Sequence, residues 1–274
     1  MTAVIIILTV LIFLFLLWIM ALRCRKNHPA WDTLRKFRFA HRGLHNSAEN
    51  IPENSMAAFR LAAERGYGIE LDIHLTRDGR LAVIHDNSLL RTAGVDVKVS
   101  TLTSNELLQY RLEGTEETIP FLEDVLPLFE GIAPVIVELK VEGNSVPLAE
   151  AACKTLDNFN VDYCIESFHP QPILWLKKHR PEICRGQLSQ NFFQGKEGTG
   201  LGKAVDFIMT NLLTSFLTVP DFIAYNHRHR SNFSLHMAKI FWHVQEVSWT
   251  IRTPEDMVRC ETEGSLSIFE SFSP

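Results

Sequence analysis

The chain opens on an unbroken apolar run. Ala3 to Leu22 reads AVIIILTVLIFLFLLWIMAL, carries no charge, and is long enough to cross a hydrocarbon core as one helix. Further on the pattern changes period. In GIELDIHL, residues 68–75, Ile69, Leu71, Ile73 and Leu75 alternate with Gly68, Glu70, Asp72 and His74, the period of two of a strand with one apolar face. Arg77-Asp78-Gly79 then supplies turn chemistry. KFRFAHRG, RLAVIHD, PVIVELK, DYCIESF, EICRGQL, EVSWTIR and SLSIFESF read as further short strands. Helical patterns lie between them. One runs from about Ser55 to Arg65 behind the start signal Pro52-Glu53-Asn54-Ser55, and others are LAEAACKTLDNF, PQPILWLKKHRP, SLHMAKIFWHVQ and TPEDMVRCETEG.

Strands that alternate with helices predict a parallel sheet with crossover helices. About eight strands in the remaining residues fit an α/β (β/α)8 barrel, a TIM barrel, preceded by one N-terminal transmembrane helix. DFIMTNLL and DFIAYN, near residues 206 to 226, are short and ambiguous, and one of them is expected to be a loop. A doubly wound open sheet is the fold alternative. The chain has no GxGxxG or GxxxxGK loop, which weighs against it. The division expected is an anchor over residues 1–24, a basic linker over 25–36 and the barrel over 37–274. Residues 87–133 are more polar than the rest and have no long apolar strand.

Only Met1 and Thr2 precede the apolar run, and no small-residue cleavage site follows it, so a retained anchor is expected rather than a cleaved signal peptide. Arg23, Arg25 and Lys26 follow at once, with Arg35, Lys36 and Arg38 shortly after. That bias predicts a single-pass protein of the cell membrane with its C-terminal domain in the cytoplasm. Five cysteines without paired spacing predict neither a disulfide framework nor a zinc site. The net charge of −5 argues against a nucleic-acid partner.

Chemistry gathers at the predicted strand ends. His41-Arg42, Glu70 with Asp72, His85-Asp86, and Glu138 with Lys140 all lie at the C-terminal ends of strands read as parallel, where the active site of a barrel sits. Glu70 and Asp72 point the same way, and like charges that close need a cation or a proton between them. Glu70, Asp72 and Glu138 offer three hard oxygen ligands, which suit one divalent cation, Mg²⁺ or Ca²⁺, and not zinc. Arg42 offers a fork for a phosphate oxygen and Lys140 a point charge. His41 and His85 suit general acid–base work. Together these groups describe phosphodiester cleavage.

The motifs HRG at 41–43, PENS at 52–55, ELDIHLTRDG at 70–79, VIHD at 83–86, VELK at 137–140, ESF at 166–168 and WT at 249–250 occur in an order that resembles the glycerophosphodiester phosphodiesterase family. The resemblance spans residues 39 to 270. It implies a phospholipase-C-like barrel that hydrolyses glycerophosphodiesters to glycerol 3-phosphate and an alcohol. It places Glu70, Asp72 and Glu138 on the metal ligands, His41 on the base, His85 on the acid and Arg42 on the phosphate contact. The family's small insertion falls at 87–133. Gln187 and Trp249, at strand ends, are expected to touch substrate beside Arg42 and Lys140; His74 is expected to be structural. The endings WTIR and SIFESF depart from the family pattern, in the part that would contact the substrate alcohol. Water or the glycerol 2-hydroxyl would serve as nucleophile. Two other readings are a lysophospholipase D-type enzyme that takes lysophospholipid from the membrane, and a catalytically silent, tethered lipid or phosphate binder. The intact acid and histidine set favours an enzyme. A cyclising phosphoinositide-type phospholipase would manage without the acidic trio.

Overall fold

A computed structural model describes residues 1–194 and 198–274. The strands, in chain order, are β1 (Phe39–His41), β2 (Gly68–Leu75), β3 (Leu81–Val83), β4 (Val135–Leu139), β5 (Tyr163–Ser167), β6 (Arg185–Ser189), β7 (Phe222–Asn226), β8 (Gln245–Ile251) and β9 (Leu266–Phe269). The helices of eight residues or more are α1 (Thr2–Ala21), α2 (Met56–Glu64), α3 (Val146–Leu156), α4 (Pro170–His179), α5 (Lys203–Thr210), α6 (Phe233–Trp242) and α7 (Pro254–Thr262). All strands but β3 are parallel, and β1 pairs with both β2 and β9, so eight strands close into a TIM barrel. Both faces of such strands are covered, one by the barrel interior and one by helices. That is why β4 and β6 are buried along their whole length.

Two expectations about strands are corrected. RLAVIHD does not enter the barrel: β3 runs antiparallel to the end of β2, with Ile73 opposite Val83 and Leu75 opposite Leu81. The link between them is too short for a parallel crossover, which needs roughly a dozen residues. Gly79, at φ +85°, makes the hairpin turn. DFIAYN supplies β7, the barrel's sixth strand, whereas DFIMTNLL is not a loop but contributes to α5. Residues 87–121 form short turns and helices around a core of their own, in which Leu89, Val99, Leu107, Leu112 and Ile119 pack on Ala82 of β3 and on Ile84, whereas Leu122, Val125, Leu126 and Phe129 join the main core.

The stretch read as a basic linker is folded onto the barrel. Trp31 and Leu34, on one helical turn, are buried against the N-terminal ends of the strands, with Trp31 edge-on to Phe222 at 5.3 Å. Arg25 pairs with buried Asp221 and donates to the Pro181 carbonyl at 2.6 Å. The C-terminal end of α1 is fixed as well. Trp18 stacks on Phe233 at 5.3 Å, and Trp242 Nε1 donates to the Ile19 carbonyl at 2.9 Å. The rest of α1 stands clear, with Val4 to Leu17 exposing their apolar side chains.

Candidate active site

The acids are placed by strand register. Asp72 on β2 is the Cα partner of Glu138 on β4, and Glu138 is the partner of Glu166 on β5. One rung away, Glu70 on β2 is the partner of His41 on β1. The period of two read from residues 68–75 therefore turns Glu70 and Asp72 into the barrel mouth, while Ile69, Leu71 and Ile73 join the core behind them.

Carboxylate oxygens of Glu70, Asp72 and Glu138 lie within 4.8 Å of one another, and all three residues are buried. Lys140 Nζ is 2.9 Å from Asp72 Oδ1 and 2.8 Å from Glu138 Oε2, and Arg42 Nε is 3.3 Å from Asp72 Oδ2. Asn54 Nδ2 donates to Asp72 Oδ2 at 2.9 Å. These charges set the titration of the site. Burial and then the neighbouring charges of Asp72, Glu138 and Glu166 push the Glu70 carboxyl well above its usual range. Burial acts on Asp72 in the same sense, but Lys140 and Arg42 outweigh it and hold that carboxyl well below. Burial, and next the Glu138 charge, drive the Glu166 carboxyl up.

Four buried carboxylates thus face two cations, Lys140 and Arg42. Fully ionised, the four would carry an excess of two negative charges on oxygen donors already grouped, which fits a divalent cation of the Mg²⁺ or Ca²⁺ kind. Glu70, Asp72 and Glu138 are the residues that would hold it.

His41 and His85 reach the mouth from different scaffolds. His41 ends β1, and its Nδ1 lies 2.5 Å from Glu270 Oε2. Glu270, an acceptor when ionised, makes Nδ1 the donor and leaves Nε2 with its lone pair. Burial pulls His41 down to about 4, although Glu270 opposes it. His85 arrives on the return of the hairpin, where its carbonyl sits 3.1 Å from His74 Nε2. Its Nδ1 lies 2.6 Å from Asp86 Oδ1. Arg91 then joins Asp86 to Glu53, at 2.5 and 2.6 Å, and Glu53 accepts from Arg42 at 2.9 Å. One chain of charges therefore orients both Arg42 and His85.

HRG and PENS act as one device. Arg42 has φ +56° and Gly43 φ +79°, which turns the chain under α2. A Cβ on Gly43 would meet Ala58 at 2.9 Å. Ser55 caps α2 by accepting from Ala58 N at 3.1 Å. Asn54 is thereby left free to bind Asp72.

A cavity of about 200 Å³ is lined by His41, Arg42, Glu70, His85, Glu138, Lys140, Glu166 and Trp249, among others. Of the expected substrate contacts, Arg42, Lys140 and Trp249 reach it. Trp249 stands edge-on to Phe168 at 5.5 Å, and its buried Nε1 has no partner among the described residues. Gln187 does not reach it. Its amide donates to the carbonyls of Ser167 at 3.1 Å and Phe168 at 2.9 Å, tying β6 to the end of β5. His74 is buried and supports the backbone of His85. Three residues join the site that the sequence reading did not place there: Glu166, Glu270 and Arg252, which pairs with Glu270 at 2.5 Å. Glu166 and Glu270 obey the rule that found the others, an acid at the C-terminal end of a barrel strand.

The sequence model of the Glycerophosphoryl diester phosphodiesterase family matches residues 41–269. The chain belongs to that family. A curated glycerophosphodiester phosphodiesterase of Bacillus altitudinis is 35% identical over 158 residues, which are 53% of this chain and 63% of the relative. A lysophospholipase D of Rattus norvegicus is 38% identical over 118 residues, 38% of this chain and 36% of the relative. The matched part of this chain thus spans less than two thirds of either relative's length. Among solved structures, a phosphodiesterase of Oleispira antarctica, in complex with the product sn-glycerol 3-phosphate, superposes with a TM-score of 0.68 at 22% identity, over 85% of this chain and 92% of that one. A glycerophosphodiester phosphodiesterase of Thermotoga maritima gives 0.65 at 22% identity, over 85% and 93%. Both show the shared barrel of the glycerophosphoryl diester phosphodiesterase family.

Proposed function

We propose that this chain hydrolyses glycerophosphodiesters to glycerol 3-phosphate and an alcohol, in phospholipid metabolism, and that it depends on a divalent cation held by Glu70, Asp72 and Glu138. The observation that carries the reading is the convergence of Glu70, Glu138, two histidines and two cations on one cavity of about 200 Å³, with the Asp72 carboxylate within 4.8 Å of those of Glu70 and Glu138. A bound divalent cation would supply positive charge to the phosphate oxygens. The protein's own groups do the rest. Arg42, held by Glu53, positions a phosphate oxygen and stabilises the charge that grows on it. His41 Nε2, freed by the bond of Nδ1 to Glu270, takes the proton of the attacking hydroxyl. His85, oriented by Asp86, gives a proton to the departing alkoxide.

The exposed apolar length of α1 supports insertion in a membrane, with the barrel on the cytoplasmic side where Arg23, Arg25 and Lys26 follow the span. Mean hydropathy over its best window is 3.2. Residues 1–24 would then be the anchor and 87–133 a family insertion that carries Arg91 to the site.

The test is release of glycerol 3-phosphate from glycerophosphocholine by the full chain in nanodiscs, with Mg²⁺, with Ca²⁺ and with chelator. Release that needs a divalent cation and is lost in Glu70→Ala/Asp72→Ala supports the reading. No release from folded protein with either metal overturns it.

A further inference from the structure

A second cavity, of about 680 Å³, opens off the catalytic one. His85, Glu138, Lys140 and Phe168 line both. Past them the wall becomes largely apolar, with Leu139, Phe192, Leu201, Val205, Ile208 and Met209. Its volume lies within the ~300–1,000 Å³ of ordinary ligand sites. Hydrolysis of a small, water-soluble diester makes no use of such a surface.

The outer wall of this groove is α5, and its far side is also apolar. Phe207 is exposed there, and the chain runs on to Phe216 and Leu217, exposed on the turn Ser215–Thr218. That turn packs against α1. One continuous segment therefore joins the wall of the groove to the helix that suits a membrane. Exposed apolar surface of this kind marks a binding face.

We propose that the groove holds the single hydrocarbon chain of a lysophospholipid while its phosphodiester sits between His41 and His85. This rests on the phosphodiesterase reading above and narrows its substrate. In the step, water forms the new P–O bond and the P–O bond to the headgroup alcohol breaks. The proton of water passes to His41, and His85 gives one to the alkoxide. The products are a lysophosphatidate and the free alcohol. Commitment to a hydrocarbon chain follows from the junction: the apolar groove begins where the phosphate cavity ends, so one molecule with a diester head and an apolar tail fills both.

The experiment uses the full chain in nanodiscs with glycerophosphocholine and with lysophosphatidylcholines of increasing acyl length. Wild type should show kcat/KM rising with length, at most about fourfold per methylene buried. Longer chains also partition into the disc, so the same series is run on Ile208→Asp, in which a partly exposed wall residue changes. Partitioning is common to both proteins. The wild-type preference for octanoyl-lysophosphatidylcholine over glycerophosphocholine should fall at least tenfold in the variant. Turnover of glycerophosphocholine with no chain-length preference, or a preference equal in wild type and variant, overturns the groove assignment and leaves the phosphodiesterase reading standing. If Ile208→Asp does not fold, Val205→Thr takes its place in the comparison. Folded wild type that turns over neither substrate overturns both.

Discussion

His41 and Glu270 stand 229 positions apart in the chain, yet Nδ1 of the one lies 2.5 Å from Oε2 of the other. The contact closes the barrel chemically as β1 and β9 close it by backbone pairing. It also fixes the imidazole. Nδ1 must donate to an ionised carboxylate, so Nε2 faces the mouth as an acceptor. Glu270 stays ionised because the bond from His41, and next the His41 and Arg252 charges, outweigh its burial and hold it at about 2.

Glu270→Gln should therefore lower kcat by on the order of 10²-fold, the contribution of a well-placed general base, and change KM little. Gln keeps the shape but can present its amide N–H to Nδ1 and favour the wrong tautomer. Losing the carboxylate also removes what raises His41, so the acid limb of the rate profile should move to lower pH. A purely structural Glu270 would lower the amount of folded enzyme without moving that limb.

The pH profile of the wild type has its own expected form. Burial brings His41 to about 4, so as a base it stays neutral far below the ordinary histidine range near 6.5. A bound cation would push in the same direction. kcat/KM should hold from neutral pH down through 6 and, as far as His41 governs it, fall only toward 4. Stability has the same sign. A folded pKa below the unfolded one means the unfolded chain binds more protons in that window, so the contribution is present above about 6.5 and lost as pH drops toward 4. The contribution of Glu270 is likewise lost in acid, toward about 2. A rate profile with its acid limb at 6.5 would show that His41 is not the base.

The acids of β2 and β4 were legible in the sequence because alternation fixes which way a side chain points, and barrel geometry fixes where strand ends meet. His85 was legible as a site residue but for an incomplete reason. It was read at the end of a parallel strand, whereas it stands on the return arm of a hairpin whose short link forbids a crossover. Glu270 was passed over because its segment departs from the family's usual ending. Its carboxylate nonetheless reaches His41. Gln187 shows the converse. Its strand end is right, but its amide is taken by two backbone carbonyls, and side-chain direction within the last rung cannot be read from period alone. The folding of residues 25–36 onto the barrel depends on Trp31 meeting Phe222, a contact between distant segments that no local pattern contains.

Gly43 tests the turn that carries Arg42. Gly43→Ala places a Cβ 2.9 Å from Ala58 and 3.0 Å from Phe59, at φ +79°. Backbone strain and overpacking together should cost roughly 2–4 kcal/mol. Gly66→Ala is the control: its φ is +71°, but nothing lies within 4 Å of the added Cβ, so only about 1–2 kcal/mol is expected. Denaturant unfolding of both variants in mild detergent measures the difference. Equal losses would show that Ala58 yields without cost.

Gln187→Met separates packing from substrate contact. The amide ties Ser167 and Phe168, and the substitution leaves those carbonyls without their donor. A loss of about 1–3 kcal/mol is expected, with KM for glycerophosphocholine unchanged. A raised KM in a fully folded variant would return Gln187 to the substrate site.

Lys140 lies between Asp72 and Glu138, where it offsets two of the carboxylates that a divalent cation would also bind. The two cations would therefore share one set of oxygens. Lys140→Met removes the fixed charge and strands the buried acids, which should cost roughly 3–5 kcal/mol in chelator. Added Mg²⁺ or Ca²⁺ should then recover more stability in the variant than it adds to the wild type, since binding to the folded state stabilises by mass action. Activity would still fall, by about 10²–10³-fold, if Lys140 also contacts the phosphate in the transition state. Thermal unfolding of both proteins, with chelator and across a titration of each metal, reads the competition directly. A variant that is as stable as the wild type in chelator would mean that the acids neutralise themselves by taking up protons, led by Glu70, whose carboxyl burial already drives up.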